Sequence, residues 1–127
     1  MLPKIYRLKS RIEFTNVYKN GKFFYSSPFV VNFIPNGLTI TRIGFSIGKA
    51  FSKRAVDRNR AKRVLREVIR MHLGKIQGGF DIIISQKNIS PVSYDIHYVS
   101  DKILFIFRSI KITKNTNVPH IHIPTAL

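Results

Sequence analysis

Residues 42–70 read RIGFSIGKAFSKRAVDRNRAKRVLREVIR, and two different periods meet inside them. From Arg42 to Gly48 the apolar residues Ile43, Phe45 and Ile47 alternate with Gly44, Ser46 and Gly48. That is the period of a strand with one core face, and the opposite face is low and uncluttered. From about Lys53 to Leu73 the period becomes helical, with Ser52 as the expected N-cap and Gly74 as the stop. On a wheel of about 100° per residue, Arg58, Lys62, Arg63, Arg66 and Arg70 share one half with Asn59. Ala61, Val64, Leu65, Val68 and Met71 take the other, and Ile69 sits at the boundary. A strand running into a helix whose apolar side fits a sheet sets the layered architecture of the chain.

Upstream, Ser10 and Glu13 form a capping box behind Leu8, and Gly21 is a natural stop, which predicts a helix over about Arg11–Asn20. Phe14, Val17 and Tyr18 share one of its faces. Phe29, Val31 and Phe33 then alternate with Val30, Asn32 and Ile34 before the turn residues Pro35-Asn36-Gly37. Downstream, Gly78-Gly79 leads into a strand over Phe80–Ser85, and Asn88–Pro91 reads as a turn. A last helix is expected from about Tyr94 to Lys111, with Ile96, Val99, Ile103, Ile106, Phe107 and Ile110 as its apolar stripe. The order of helix, two or three strands, helix, strand and helix is satisfied most economically by a mixed sheet with helices on one face.

The chain has 127 residues, the length of one domain, with the core expected over about 5–112 and a loose tail over 113–127. Its 44% hydrophobic and 12% aromatic residues are enough for a core. Absence of cysteine excludes disulfides and thiolate chemistry. MLPKIYRLKSR has charges without an apolar stretch behind them, so no secretory signal is expected, and no apolar run is long enough for a bilayer. The net charge is +16, and nine of the 22 basic residues lie between Lys49 and Arg70. Solvated helix faces usually mix signs, but this one is almost purely positive, and like charges four residues apart repel. A membrane-surface helix would carry Trp or Phe on its apolar side, which this one lacks. A polyanion, and so a nucleic acid, is the expected partner; six to eight phosphate contacts would give a salt slope of roughly −5 to −7.

Other motifs dissolve on inspection. Gly44-Phe-Ser-Ile-Gly48-Lys49 has one residue too few between its glycines for a phosphate loop, and Ala50 stands where Ser or Thr would hold magnesium. His120 and His122 lie in the tail with no third ligand type beside them, while His72 and His97 read as surface or boundary helix residues. Glu13, Asp57, Glu67, Asp81, Asp95 and Asp101 form no cluster in sequence, so no catalytic residue is expected in the protein.

The stretch with Arg58-Asn59-Arg60, Lys62-Arg63 and Arg66-Glu67 resembles the signature of the bacterial ribonuclease P protein subunit. RLKSRIEFTNVYKNG is similar to that family's opening helix, with Phe14 and Tyr18 at its two aromatic positions, and SPFVVNF and FDIIIS follow in order. The resemblance covers about Tyr6 to Lys111. It implies an α/β (α+β) two-layer sandwich, mostly a four-stranded mixed sheet with three helices, related to the second domain of a small-subunit ribosomal protein. A left-handed β-α-β crossover is part of that fold.

The implied function is that of the cytoplasmic ribonucleoprotein that removes 5′ leaders from precursor tRNA. Its RNA does the chemistry with Mg2+ that the RNA mainly binds, and its protein broadens the substrate range. The implied partners are the catalytic RNA and precursor tRNA, with no membrane and no DNA. Lys49, Lys53, Arg54, Arg58, Asn59, Arg60, Lys62, Arg63, Arg66 and Arg70 would meet the catalytic RNA. Phe14, Tyr18, Val30, Asn32, Ser46 and Lys49 would form a groove for the leader, floored also by Gly44 and Gly48. Two positions depart from the pattern: Ala50 stands beside Lys49 where a second lysine is frequent, and Asn32 stands where an aromatic is common. The alternative is a ribosomal or ribosome-assembly RNA-binding protein, which explains the basic helix but not the ordered match of four segments. A protein-only nuclease and a DNA-binding basic helix are further rivals.

Overall fold

The computed structural model describes residues 3–86 and 95–112. The expected turn at Asn88–Pro91, Tyr94 and the tail with His120 and His122 lie outside the described residues. The elements are α1 (Arg11–Asn20), β1 (Lys22–Ser26), β2 (Phe29–Pro35), β3 (Arg42–Ser46), α2 (Ala55–Met71), β4 (Phe80–Gln86) and α3 (Ile96–Ser109), with short 3-10 turns at Lys4–Tyr6 and Leu73–Lys75. The sheet order is β1-β2-β4-β3. β1 and β4 each flank β2 antiparallel, whereas β3 and β4 run parallel, so α2 is the crossover of a β-α-β unit. This is the mixed four-stranded sheet with three helices that the family resemblance implies. β1 is the strand that its pattern does not announce.

Alternation along the strands assigns two faces. Phe29, Val31, Phe33, Ile43, Ile82 and Ile84 are buried in the main core with Leu65, Val68 and Ile69 of α2 and Val99, Ile103, Ile106 and Phe107 of α3. Ile83 faces the other way and forms a second cluster with Leu8 and Val17, against which Phe14 and Ile34 pack. α1 therefore lies on the face opposite α2 and α3, which corrects the expectation that all helices share one face. A strand of alternating Ile82-Ile83-Ile84 is apolar on both sides and needs cover on both.

The helix ends follow their chemistry. Ser10 Oγ accepts from the N–H groups of Ile12 and Glu13, and the Ser10 N–H donates to Glu13 Oε1 at 3.2 Å, the capping box as expected. At the far end of α1 a Cβ on Gly21 would lie 2.6 Å from the carbonyl oxygens of Val17 and Phe33. Close approach of helix and strand, with an extended backbone, is what demands glycine there. The start of α2 differs from expectation: Arg54 occupies the N-cap position without a side-chain cap. The Ser52 hydroxyl instead accepts from the Arg54 N–H and donates to Asp57 Oδ2 at 3.0 Å. α2 also stops at Met71, before Gly74, and its buried side holds Ala61, Leu65, Val68 and Ile69 while Met71 is exposed. α3 starts after Asp95, which accepts from the His97 N–H at 2.9 Å, and ends with Lys111 in the left-handed region at φ 58°.

One polar cluster fastens α1 to the end of the sheet. The Arg42 guanidinium donates to both carboxylate oxygens of Asp81, at 2.9 and 2.7 Å, and to Glu13 Oε2 at 2.6 Å. Asn36 Nδ2 adds a bond to Asp81 Oδ1 at 2.9 Å. Hydrogen bonding to Asp81 holds the Arg42 pKa above its ordinary value, with burial opposing and the charges of Asp81 and Glu13 assisting.

His72 closes the opposite end of α2, with Nε2 2.7 Å from Ser100 Oγ of α3. Its Nδ1 is buried without a hydrogen-bond partner among the described residues, and burial, then the charge of Lys75, lowers its pKa. Protonation would create a buried, unpartnered N–H. The unfolded chain thus binds the proton more readily. Stability is full above the unfolded value near about 6.5 and is lost as pH falls from there through the depressed folded value. The thermal midpoint of the protein is expected to drop between roughly pH 7.5 and 5.5, a window spanning that value, more steeply than that of His72→Gln. Parallel curves for the two proteins would remove His72 from this account.

Candidate nucleic-acid interface

Strand register lays the α1 face of the sheet out in rows. Tyr25 of β1 is paired with Val30, Val30 with Ser85, and Ser85 with Ser46, so one row crosses all four strands. The next row is Phe23, Asn32, Ile83 and Gly44, and the third is Ile34, Asp81 and Arg42. α1 covers the third row and one end of the second, through Val17 on Ile83 and Phe14 on Gly44. Among the described residues α1 is the one helix on this face. Its cover leaves Phe23, Asn32, Tyr25, Val30 and Ser46 as half-buried or exposed positions, with Ser85 beneath them.

The expected groove residues divide under this geometry. Tyr18 is 47% exposed and stands at the rim, and its ring centroid is 6.5 Å from that of Phe14 with the planes tilted 55°. Phe14 lies lower. Its Cζ is so close to Gly44 that a Cβ there would come within 2.4 Å. Gly44 is thus buried beneath a ring and is no open floor, while Phe14 joins the second apolar cluster and is half-buried. Val30, Asn32 and Ser46 stand on the face as expected, and Lys49 follows exposed in the turn after β3. Phe23 and Tyr25, 51% and 59% exposed on the same face, are aromatic positions that sequence reasoning passed over. KFFYS is apolar at three consecutive positions, so period two has no contrast to reveal which ring faces where.

On the other side of the β3 edge lies a cleft of about 490 Å3 whose walls include Arg7, Lys9, Phe14, Phe45, Lys62 and Arg66. The N-terminal segment reaches this edge by a parallel bridge of Arg7 with Ile43, where the Leu8 N–H donates to the Ile43 carbonyl at 3.0 Å. Four cations from two distant parts of the chain thus converge beside two aromatic rings. Along α2, Asn59, Arg60, Arg63, Arg66 and Arg70 are exposed, and Lys62 and Arg58 half-buried. Several of the expected contact residues have protein partners, among them Arg58, whose Nη1 donates to the Ser52 carbonyl at 2.9 Å, and Arg70, which pairs with Glu67. Hydrogen bonding to Glu67 raises the Arg70 pKa. Arg54 lies 3.7 Å from Asp57. Lys49 and Lys53 are exposed in the turn held down by buried Phe51.

Four of the six acidic residues are drawn into structure. Glu13 and Asp81 converge on Arg42, Asp57 serves the start of α2, and Asp95 caps α3. Among the described residues no group of three or more His, Cys, Asp or Glu side chains is placed to hold a metal ion.

A basic helix beside a sheet face edged with aromatic rings defines an RNA-binding α/β domain. The ribonuclease P family model matches residues 2–104. The chain is 39% identical over 94 residues to the ribonuclease P protein component of Finegoldia magna, covering 73% of this chain and 81% of that one. It is 37% identical over 108 residues to that of Thermotoga maritima, covering 83% and 92%. The solved Thermotoga maritima RNase P protein superimposes with a TM-score of 0.72 at 33% identity, covering 82% of this chain and 96% of that chain. The Staphylococcus aureus RNase P protein gives 0.72 at 27% identity, covering 84% and 96%. The chain belongs to the ribonuclease P protein family. It is accordingly an accessory subunit of the endoribonuclease ribonucleoprotein that matures tRNA 5′ ends.

The Phe14–Gly44 contact is directly testable by urea unfolding. Gly44→Val should cost about 1–3 kcal/mol, because the added side chain must displace the ring. Combined with Phe14→Ala, the loss should be smaller than the sum of the single losses. Strict additivity would show that ring and glycine do not meet.

Proposed function

We propose that this chain acts as a two-sided RNA clamp, with the cations of α2 on the catalytic RNA and the α1 face of the sheet on the precursor tRNA leader. The observation that carries the reading is the continuity of the two surfaces around the edge of β3. The cleft walled by Lys62 and Arg66 on one side and Phe14 on the other joins them. Lys49, Lys53, Arg54, Arg58, Asn59, Arg60, Lys62, Arg63, Arg66 and Arg70 form the RNA-docking side. Exposed arginines suit bidentate phosphate contacts; Arg58 and Arg70, partly engaged with Ser52 and Glu67, contribute through their remaining donors. Tyr18, Val30, Asn32, Ser46 and Lys49 face the leader, and Phe14 supports them from below. Stacking on exposed rings with backbone phosphates toward cations binds single strands without strong sequence preference.

On this reading Mg2+ is held mainly by the RNA subunit and cleavage belongs to the RNA. The protein's share is binding, orientation and charge neutralisation. Its whole length, 1–127, serves as one RNA-binding domain. It works in the cytoplasm, where precursor tRNA is made, with no DNA or membrane partner. No helix among the described residues is long and apolar enough to cross a membrane.

The test uses holoenzyme reconstituted from the chain and its catalytic RNA. Tyr18→Ala should weaken binding of leader-bearing precursor tRNA by roughly 5- to 100-fold, the worth of one stacked base, and leave mature tRNA unchanged. Arg63→Ala with Arg66→Ala should weaken assembly with the catalytic RNA and reduce the salt slope by about 1 per cation removed. Equal losses for precursor and mature tRNA would overturn the leader assignment. An unchanged assembly constant at low salt would overturn the docking assignment.

A further inference from the structure

The leader surface does not end at the rim marked by Tyr18. Phe23 and Tyr25 alternate with Phe24 on β1, so both project to the α1 face while Phe24 packs against the main core. Phe23 is paired with Asn32 and Tyr25 with Val30, the two floor residues of β2. Each residue is more than half exposed, at 51% and 59%. Residues two apart on a strand are separated by about 6.8 Å. This is about twice the 3.4 Å step of stacked bases. The gap between such rings admits one flat base. β1 is also held in place: Lys102 of α3 donates to Ser26 Oγ at 3.2 Å behind the strand, and Phe24 is anchored in the core. A rigid strand presents its rings without a large ordering cost.

Resting on the proposed leader groove, we infer that Phe23 and Tyr25 form a second aromatic station that sandwiches a base of the precursor tRNA leader at the far side of the sheet. Three strand-to-strand steps of about 4.8 Å separate β3 from β1, about 14 Å in all. A strand entering beside Ser46 and Lys49, on the α2 side, reaches Tyr25 after about four stacked nucleotides. Charge favours this occupant over a second copy of the chain. β1 is an edge strand flanked by Lys19 and Lys22 on a molecule of net charge +16, which repels its own kind and attracts a phosphate backbone.

The experiment measures affinity of reconstituted holoenzyme for precursor tRNAs with leaders of two, four, six and eight nucleotides. For the wild type, affinity should rise with leader length, and Phe23→Ala with Tyr25→Ala should cost about tenfold for the longer leaders and nothing for the two-nucleotide one. Phe23→Tyr with Tyr25→Phe, which keeps both rings, should bind like the wild type. Both positions are exposed, so far-ultraviolet circular dichroism should report an unchanged fold. If the wild type gains affinity with leader length and the alanine variant gains equally, the second station is overturned and the leader groove stands. No gain in the wild type overturns both. A loss equal at every leader length, or a wild-type dimer in sedimentation that the alanine variant abolishes, assigns the rings to fold or self-association and overturns the inference.

Discussion

The structure turns on Arg42. Its guanidinium spans two carboxylates from distant parts of the chain, Asp81 on β4 and Glu13 on α1, and so fastens an edge strand, a central strand and a helix at one point. The Asp81 side chain is 5% exposed, which makes the bond indispensable in one direction. Remove the cation and a carboxylate remains buried with one amide partner, a defect that costs about 3 kcal/mol or more. The same contact sets the height of α1 above the sheet. Glu13 and Phe14 are neighbours in the helix, so where Glu13 meets Arg42, Phe14 comes down on the next row at Gly44.

From that placement the two surfaces proposed to meet RNA follow. α1 covers one end of its sheet face and leaves the other open, so the exposed part is decided by where the helix is pinned rather than by any special property of the open residues. On the opposite face α2 and α3 bury the apolar halves of their wheels together, which obliges the cationic half of α2 to point outward. The β-α-β crossover then sets that cationic surface beside the edge of β3 that leads to the open face. The Arg42 cluster and one crossover thus place the two proposed surfaces so that they meet at an edge.

Much of this was legible in the residues. The start of α1 was readable because Ser10 and Glu13 act locally, and its end because Gly21 announces a stop. The faces of β2 were readable because one side is apolar and the other mixed. What escaped was decided at a distance. β1 has aromatic residues on both sides, one set for the core and one for solvent. Ser52 looked like a cap, but its hydroxyl is spent on Asp57 and the Arg54 N–H. α2 ends before Gly74 because His72 turns to Ser100 on another helix. α3 ends on Lys111 in a left-handed conformation with no glycine to announce it; buried Ile112, whose N–H donates to the Phe107 carbonyl at 2.9 Å, holds it there. The partition of Phe14 and Tyr18 into support and rim needed the position of Gly44, thirty residues away from Phe14.

The concentration of arginines on one side of α2 has a thermodynamic meaning beyond recognition. A row of like charges at helical spacing raises the free energy of the folded helix, and the unfolded chain holds the same charges farther apart. A polyanion that binds the folded row and not the unfolded chain removes that strain and adds RT ln(1 + [L]/Kd) to the stability. Residues 42–86 hold β3, α2 and β4 in one continuous stretch, so this gain falls on half of the sheet as well as on the helix. On the proposed docking, folding and assembly are linked equilibria, and the ionic strength that governs one governs the other.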